Sequence, residues 1–318
     1  MARISNPKPP IPHAADADEA PRFTVVPRRH PVRHTMTLVA AVLLGLLAWS
    51  VWANHRFQWD VVGGYLFSES VLRGVGQTLL LTVLAAVFAA SVGAVVAAMR
   101  ISGVALLAAV ASVYIWAFRG TPLLVQLLFW YNLGALYPQI GLGIPGGPQI
   151  MLGTANDLIT PLTAAVLGLA LNESAYAAEV YRGGILGVSR GQFEAAQSLG
   201  LTPARTWWHV VIPQALRIMI PSLSNNLIRL TQATSLVSVI SMSELLHSVQ
   251  TIYSRTYETI PLLIVAVIWY LVIVSALSAL QSLLEQRLAG KRQRWSQTSI
   301  SALTKAITPF NGWPGERR

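Results

Sequence analysis

The 318-residue sequence contains no cysteine, which excludes disulfides, thiolate zinc sites, iron–sulfur clusters and a cysteine nucleophile. Of its six histidines (His13, His30, His34, His55, His209 and His247) only His30 and His34 share the HxxxH spacing, and no third His, Asp or Glu lies within ten residues of them, so no metal site is expected. No GxxxxGK[ST] run occurs, and without that phosphate-binding loop the chain is not expected to hydrolyse ATP itself. No acid, base and nucleophile cluster in the manner of an enzyme. Charged residues make up only 11% of the sequence.

Hydrocarbon takes the place of charge. Hydrophobic residues reach 53% and come in blocks rather than in the periods of half-buried helices or strands. About 20 apolar residues span a bilayer core, so the expected fold class is an all-α membrane protein with about six transmembrane helices. Residues 1–35 hold seven prolines and mixed charges and are expected to be a disordered cytoplasmic tail. Met36–Ala53 (domain limits 36–54) is the first span. Its long charged lead and the absence of a small-residue cleavage site favour an uncleaved anchor over a signal peptide. Asn54–Thr78 reads as an external connector, and Leu79–Met99 as the second span.

Ile101–Gly134 would be about 50 Å long as one helix, too long for a bilayer of about 30 Å. It is expected to cross once, with its early part interfacial or tilted and a break at Arg119-Gly120-Thr121-Pro122. Ala135–Thr160 is rich in proline and glycine and has no lysine or arginine, as suits an external loop. Pro161–Tyr181 returns, Asn225–Leu246 goes out again, His247–Ile260 is a short external turn, and Pro261–Leu284 is the last span. A cytoplasmic tail, 291–318, follows.

The net charge of +10 does not point to nucleic acid, because the basic residues concentrate in the two tails and one loop. With both termini cytoplasmic, nineteen lysines and arginines lie inside and three (Arg56, Arg73 and Arg255) outside, Arg119 being unassigned. That is the positive-inside distribution. The basic loop lies between Glu179 and Pro221. Gly200 followed by Leu201-Thr202-Pro203 reads as a helix stop and restart: glycine for a left-handed cap, Thr202 as the next N-cap, Pro203 at the first helical position. Composition alone leaves two readings of this loop, an amphipathic connector on the membrane surface or a docking element.

Several motifs decide between them. Glu194-Ala195-Ala196, three residues, Gly200, and then Val210-Val211-Ile212-Pro213 resembles the EAA loop of ABC-importer permeases. Arg119-Gly120-Thr121-Pro122-Leu123-Leu124-Val125-Gln126, Asn172 through Glu179, Arg182-Gly183-Gly184-Ile185, Arg190-Gly191-Gln192, Pro213-Gln214-Ala215-Leu216-Arg217 and Thr234-Ser235-Leu236 resemble the polar amino acid importer permeases, in the family order, over residues 70–290. The resemblance implies a type I importer fold, here a five-helix core plus one N-terminal helix, with a coupling loop at 182–222. It also implies a bacterial inner-membrane location and a set of partners: a cytoplasmic ABC ATPase dimer carrying ATP-Mg, a second permease subunit (identical or related), a periplasmic amino-acid-binding protein and membrane lipid. No nucleic acid and no cofactor in this chain are expected. Where the family has lysine and an acidic or polar residue before Thr-Ser-Leu, this chain has Gln232-Ala233. An ion-coupled secondary transporter is the alternative, but it would carry inverted repeats, and none is visible.

The coupling residues implied are Glu194, Ala195, Ala196, Gly200 and Pro213. The alanines permit close approach, Glu194 offers a charged contact, and Gly200 sets the bend. For the substrate path the candidates are Asn172, Glu173, Tyr176, Arg119 and Gln126. A carboxylate inside a span costs roughly 2.5–3.5 kcal/mol and needs a partner or a cavity. Glu173 therefore either lines the path, favouring a cationic side chain or an α-amino group, or makes a helix–helix contact to Arg229 or Arg119. Glu179 and Arg182, at i and i+3, are expected to form an ion pair. Arg119 is an α-carboxylate contact or a cap of the break, and Arg229 is expected to snorkel near the start of the fifth span.

Overall fold

The computed structural model describes residues 31–143 and 149–288. The expected C-terminal tail, 291–318, and residues 1–30 of the expected N-terminal tail lie outside the described residues. The chain divides into two compact units, Met1–Phe57 and Gln58–Arg318. The first holds helix α1, Pro31–Ala53, and a single 3-10 turn, His55–Phe57. A helix is present where the first span is expected, but it begins earlier: residues 31–35, read from sequence as disordered tail, are its first turn, with Pro31 at the position where its missing N–H costs nothing.

The second unit opens with α2, Trp59–Leu66, and α3, Glu69–Ile101. The expected connector Asn54–Thr78 is thus largely helical, and the second span starts ten residues ahead of Leu79. Nothing between Glu69 and Ile101 breaks a helix: the segment has no proline, and the first left-handed residue after it is Gly103, at φ 74°. Helices α4, Ala105–Gly120, and α5, Leu123–Tyr131, follow. Pro122 supplies the break as expected, because proline excludes the preceding residue from the helical region; Thr121 sits at φ −115°, ψ 145°. The bend between the two helices is 102°, so the segment is a sharply broken pair and not a tilted rod.

The expected loop Ala135–Thr160 is partly structured. It contains α6, Leu133–Leu136 (just upstream), an antiparallel pair β1, Gln139–Gly143, and β2, Gln149–Thr154, and the short α7, Ala155–Leu158. The described residues are therefore mostly helical with an antiparallel strand pair rather than all-α. Then come α8, Pro161–Leu186, α9, Arg190–Ser198, and α10, Pro203–Thr206. A π-helical turn, Trp207–Val211, runs directly into α11, Ile212–Ala233. The remaining helices are α12, Leu245–Thr256, and α13, Thr259–Leu288.

The expected span Asn225–Leu246 is corrected by this arrangement. The outgoing helix begins at Ile212, ends at Ala233, passes into a 3-10 turn, Thr234–Ile240, and stops at Ser241, φ 58°. The expected external turn His247–Ile260 is largely α12. The sequence misled because Ser222, Asn225, Asn226 and Arg229 dilute the hydropathy of α11, whereas the following stretch to Leu246 is more uniformly apolar. Among the described residues three helices qualify as membrane spans by length and composition, or four if the bent α4–α5 pair counts as one.

Helix α8 is the packing axis. Ala164, Ala165, Gly168, Ala170, Ser174, Ala175, Ala177 and Ala178 are all buried on it. Lipid is as apolar as a leucine side chain, so helices in a bilayer associate by close packing, which small residues permit. A Cβ added at Gly93 of α3 would lie 2.9 Å from the Ala177 Cβ and 3.0 Å from the Ser174 carbonyl oxygen. Around this seam Leu81, Leu127, Leu169 and Ile240 are fully buried, joining α3, α5, α8 and the 3-10 turn. A second cluster of Val71, Leu245, Val249, Leu262 and Val265 ties α3, α12 and α13 together.

Candidate functional site

Two groups of polar side chains stand apart from this packing, and α8 carries one and feeds the other. The loop after α8 begins with α9, whose Glu194 and Ala195 are exposed while Ala196 is turned inward and buried. Gly200, at φ 70°, ends it. Leu201 N–H donates to the Ala196 carbonyl at 3.0 Å and Gly200 N–H to the Gln197 carbonyl at 2.9 Å, the paired closure of a Schellman cap. Pro203 then occupies the first turn of α10, and Thr206 N–H donates to the Thr202 carbonyl at 2.9 Å. This is the stop and restart that the Gly-Leu-Thr-Pro order implies, although the Thr202 hydroxyl makes no capping bond.

The turn holds its shape from both sides. Phe193 meets Trp207 edge to face at 6.4 Å, and the Gln214 amide donates to Gln192 Oε1 at 3.2 Å, bridging α11 and α9. Between α9 and α10 lies a cleft of about 460 Å³, lined by Phe193, Gln197, Gly200, Leu201, Pro203 and Trp207 among others. Pro213 is exposed in the first turn of α11. The result is an exposed, preformed helical knuckle with a concave face.

The second group gathers where α8 passes the α4–α5 break. The Asn172 amide donates to the Phe118 carbonyl at 2.8 Å and to Gln126 Oε1 at 3.3 Å. Gln126 in turn donates to the Phe118 carbonyl at 2.9 Å and the Thr121 hydroxyl at 2.8 Å. Both amides donate to the Phe118 carbonyl, which the missing N–H of Pro122 leaves without its helical donor. At the next residue of α8, the Glu173 carboxylate accepts from Arg229 Nη2 at 3.1 and 3.3 Å. The same Arg229 guanidinium lies over the Tyr176 ring at 4.3 Å, and Arg119 lies over that ring at 5.0 Å.

The site residues expected from sequence are therefore brought together in two sets. Asn172, Glu173, Tyr176, Arg119 and Gln126 are contiguous; Glu194, Ala195, Gly200 and Pro213 share the exposed knuckle, with Ala196 inside it. Of the two contacts open to Glu173, the structure contains the one to Arg229. Arg229, expected near the start of a span, lies instead four residues before the end of α11, paired across to the middle of α8. Glu179 and Arg182 form the anticipated i,i+3 pair, with Nε at 3.1 Å and Nη2 at 2.7 Å from one carboxylate oxygen.

One polar centre was missed. Glu244 is fully buried; its oxygens accept from the Leu246 N–H at 2.8 Å and the His247 N–H at 2.7 Å, capping α12, and from the Tyr270 hydroxyl at 3.0 Å. Beside it the Leu245 N–H donates to Thr78 Oγ1 at 3.2 Å. An acidic residue immediately before an apolar helical run was the available signal, obscured by reading Glu244 as part of a span. Among the described residues no three His, Asp or Glu side chains converge as a metal site.

Known proteins resemble this chain along most of its length. Residues 90–290 match the family described as "Binding-protein-dependent transport system inner membrane component". The arginine transport system permease protein ArgU of Corynebacterium glutamicum is 39% identical over 300 residues, covering 93% of this chain and 92% of the relative. The glutamate/aspartate import permease protein GltK of Escherichia coli O6:H1 is 34% identical over 235 residues, covering 74% of this chain and all of the relative. Among solved structures, the one described as "Crystal structure of an amino acid ABC transporter with histidines" matches with a TM-score of 0.60 at 38% identity, over 73% of this chain and 98% of that one.

Proposed function

This chain belongs to the binding-protein-dependent inner membrane components, and from that premise we propose how its geometry divides the work of transport. It is a multi-pass inner-membrane permease subunit of an ABC amino acid importer and not an enzyme; ATP is the business of a separate ATPase. Membership of such a transporter implies an ATPase and a binding protein as partners.

In our reading the chain crosses the membrane six times, through α1, α3, the broken α4–α5 pair, α8, α11 and α13, with both termini cytoplasmic. The importer domain is residues 70–290, and α1 is an additional helix. A cytoplasmic ATPase dimer, carrying ATP-Mg, docks on the coupling segment 182–222. Glu194 and Ala195 face it, Ala196 and Gly200 set the shape of the knuckle, and Pro213 begins the helix that leaves it. A second permease subunit, identical or related, completes the pathway, and a periplasmic amino-acid-binding protein delivers a polar amino acid from outside. Asn172, Glu173, Tyr176, Arg119 and Gln126 line the path.

The observation that carries this reading is the continuity of α8. One unbroken helix bears Glu173 and Tyr176 near its middle and ends at Leu186, four residues before α9. A packed helix moves as a body, so closure of two ATPases on the knuckle would shift the polar cluster with it. The test is co-expression of the full chain with its ATPase, followed by uptake of labelled amino acids into proteoliposomes supplied with the binding protein. Uptake should require the ATPase and ATP. Uptake driven by an ion gradient without ATPase would instead support a secondary transporter.

A further inference from the structure

We propose that Arg205, Trp208 and Arg217 form a seat for the headgroup of an anionic phospholipid at the cytoplasmic edge of the bilayer, and that this lipid steadies the knuckle for docking. The inference rests on the topology proposed above, in which α8 and α11 cross the membrane and the knuckle is cytoplasmic, and it gives that element a second partner.

The seat begins with an irregular turn. Residues three apart on an α-helix share a face, and Trp208 and Val211 are three apart. Yet Val211 is fully buried while Trp208 is 69% exposed. The π-helical turn Trp207–Val211 accounts for the divergence: the Ile212 N–H donates to the Trp207 carbonyl, five residues back, which widens the turn and takes its residues out of α-helical phase. Val211 and Ala215 stay packed with Val188, and the Trp208 indole is turned outward. Trp207 and Thr206 line the cleft of the knuckle, whereas Arg205, Trp208 and Arg217 do not. The knuckle thus has a surface besides the one suited to docking.

Depth follows from what α11 touches. A Cβ added at Gly184, in the last turn of α8, would lie 3.2 Å from the Ala215 carbonyl oxygen and closer still to Met219, and one at Gly187 would lie 3.0 Å from Ile218 Cδ1. The first two turns of α11 are therefore level with the end of α8, where that helix leaves the bilayer. Leu186, Leu216 and Ile218 are exposed at this level and suit acyl chains. Arg217 is exposed among them, and Trp208 and Arg205 are exposed on the turns that precede α11. Aliphatic side chains followed by indole and guanidinium is the order of a bilayer edge, with tryptophan at headgroup depth and arginine reaching along its stem to the phosphates.

Charge selects the headgroup. From Ala195 to Ser243 the sequence has no Asp or Glu, and neither Arg205 nor Arg217 forms an ion pair among the described residues. Phosphatidylglycerol offers both guanidiniums a phosphate with no cation attached. Phosphatidylcholine sets its own ammonium against them, so the two lipids differ in charge complementarity to the same surface. A carboxylate of the ATPase is the rival occupant. Thr206, between Arg205 and Trp207, is a wall of the cleft, so a lipid that holds Arg205 and Trp208 also holds that wall. Bound lipid then biases the knuckle toward the shape that docks.

The experiment reconstitutes the full chain with its ATPase into phosphatidylcholine membranes containing a small share of phosphatidylglycerol, with brominated chains on one lipid or the other. Trp208 emission is isolated as the difference from W208F. Brominated phosphatidylglycerol should quench it well beyond its share of the lipid. An arginine at an anionic surface is worth about fivefold, so R205Q and R217Q should each lower that enrichment by about this factor, R205K should keep most of it, and the double variant should abolish it. ATP-dependent uptake should rise with phosphatidylglycerol in the unaltered complex and lose that rise in the double variant. Equal quenching by the two lipids at matched share, or enrichment unmoved by either arginine, overturns the anionic seat. Quenching by neither lipid overturns the lipid contact, and quenching that appears only once the ATPase is removed assigns the face to the ATPase instead. Uptake indifferent to phosphatidylglycerol overturns the steadying role alone. Because the chain has no cysteine, Ser198→Cys supplies a single label for the topology. An impermeant maleimide should reach it from the cytoplasmic face; labelling from the outer face overturns the topology itself.

Discussion

Replacing Gly200 with valine tests the knuckle without disturbing the membrane region. The residue sits at φ 70°, where an L side chain costs roughly 1–2 kcal/mol, and β-branching makes valine a poor fit there. Steric collision adds nothing, because a Cβ at this position meets no heavy atom within 4 Å. The cost is therefore conformational and local, and it falls on the two hydrogen bonds that close the cap, from Leu201 to Ala196 and from Gly200 to Gln197. One to two kcal/mol corresponds to a 5- to 30-fold loss in the ratio of closed to open turn. If docking requires that turn, apparent affinity for the co-expressed ATPase falls with the closed fraction, by up to the same factor. The measurement is titration of the ATPase onto the complex, alongside ATP-dependent uptake, with membrane insertion followed by yield and melting temperature. Gly200→Asn is the control, since asparagine enters the left-handed region readily, and it should retain most of the affinity. Gly200→Val with full affinity and normal uptake would refute the reasoning.

Three further outcomes follow from other parts of the fold. Gly93→Leu should prevent α3 from seating on α8, because its Cβ would press on the Ala177 methyl and the Ser174 carbonyl; we expect overpacking of roughly 1–3 kcal/mol or more, read as loss of folded protein in detergent. Glu244→Ala removes the cap of α12 and strands the Tyr270 hydroxyl, a combined destabilisation of roughly 2–4 kcal/mol, which should appear as a lowered melting temperature, with Glu244→Gln much milder. Glu173→Gln should alter uptake by charge class, depressing cationic amino acids more than neutral ones; unchanged selectivity in a transport panel would remove Glu173 from the path.

Local chemistry determined a good part of this protein. The apolar blocks announce a membrane protein, Pro122 places the α4–α5 break through its own ring geometry, and Gly200 with Pro203 prescribes the cap that the structure contains. Glu179 and Arg182 meet because residues three apart lie on one helix face. Each of these depends on neighbours a few positions away. Tertiary structure alone decided the rest. Hydropathy misplaced α11 because its polar face is what hides such a helix from an average over residues. Glu173 could have met Arg119 or Arg229; the choice fell to the packing of α8 against α11, 56 residues apart. Glu244 found Tyr270 across 26 residues, in a pocket assembled from α3, α12 and α13. A buried charge states in sequence only that it needs a partner; which partner it gets is fixed by how the helices pack.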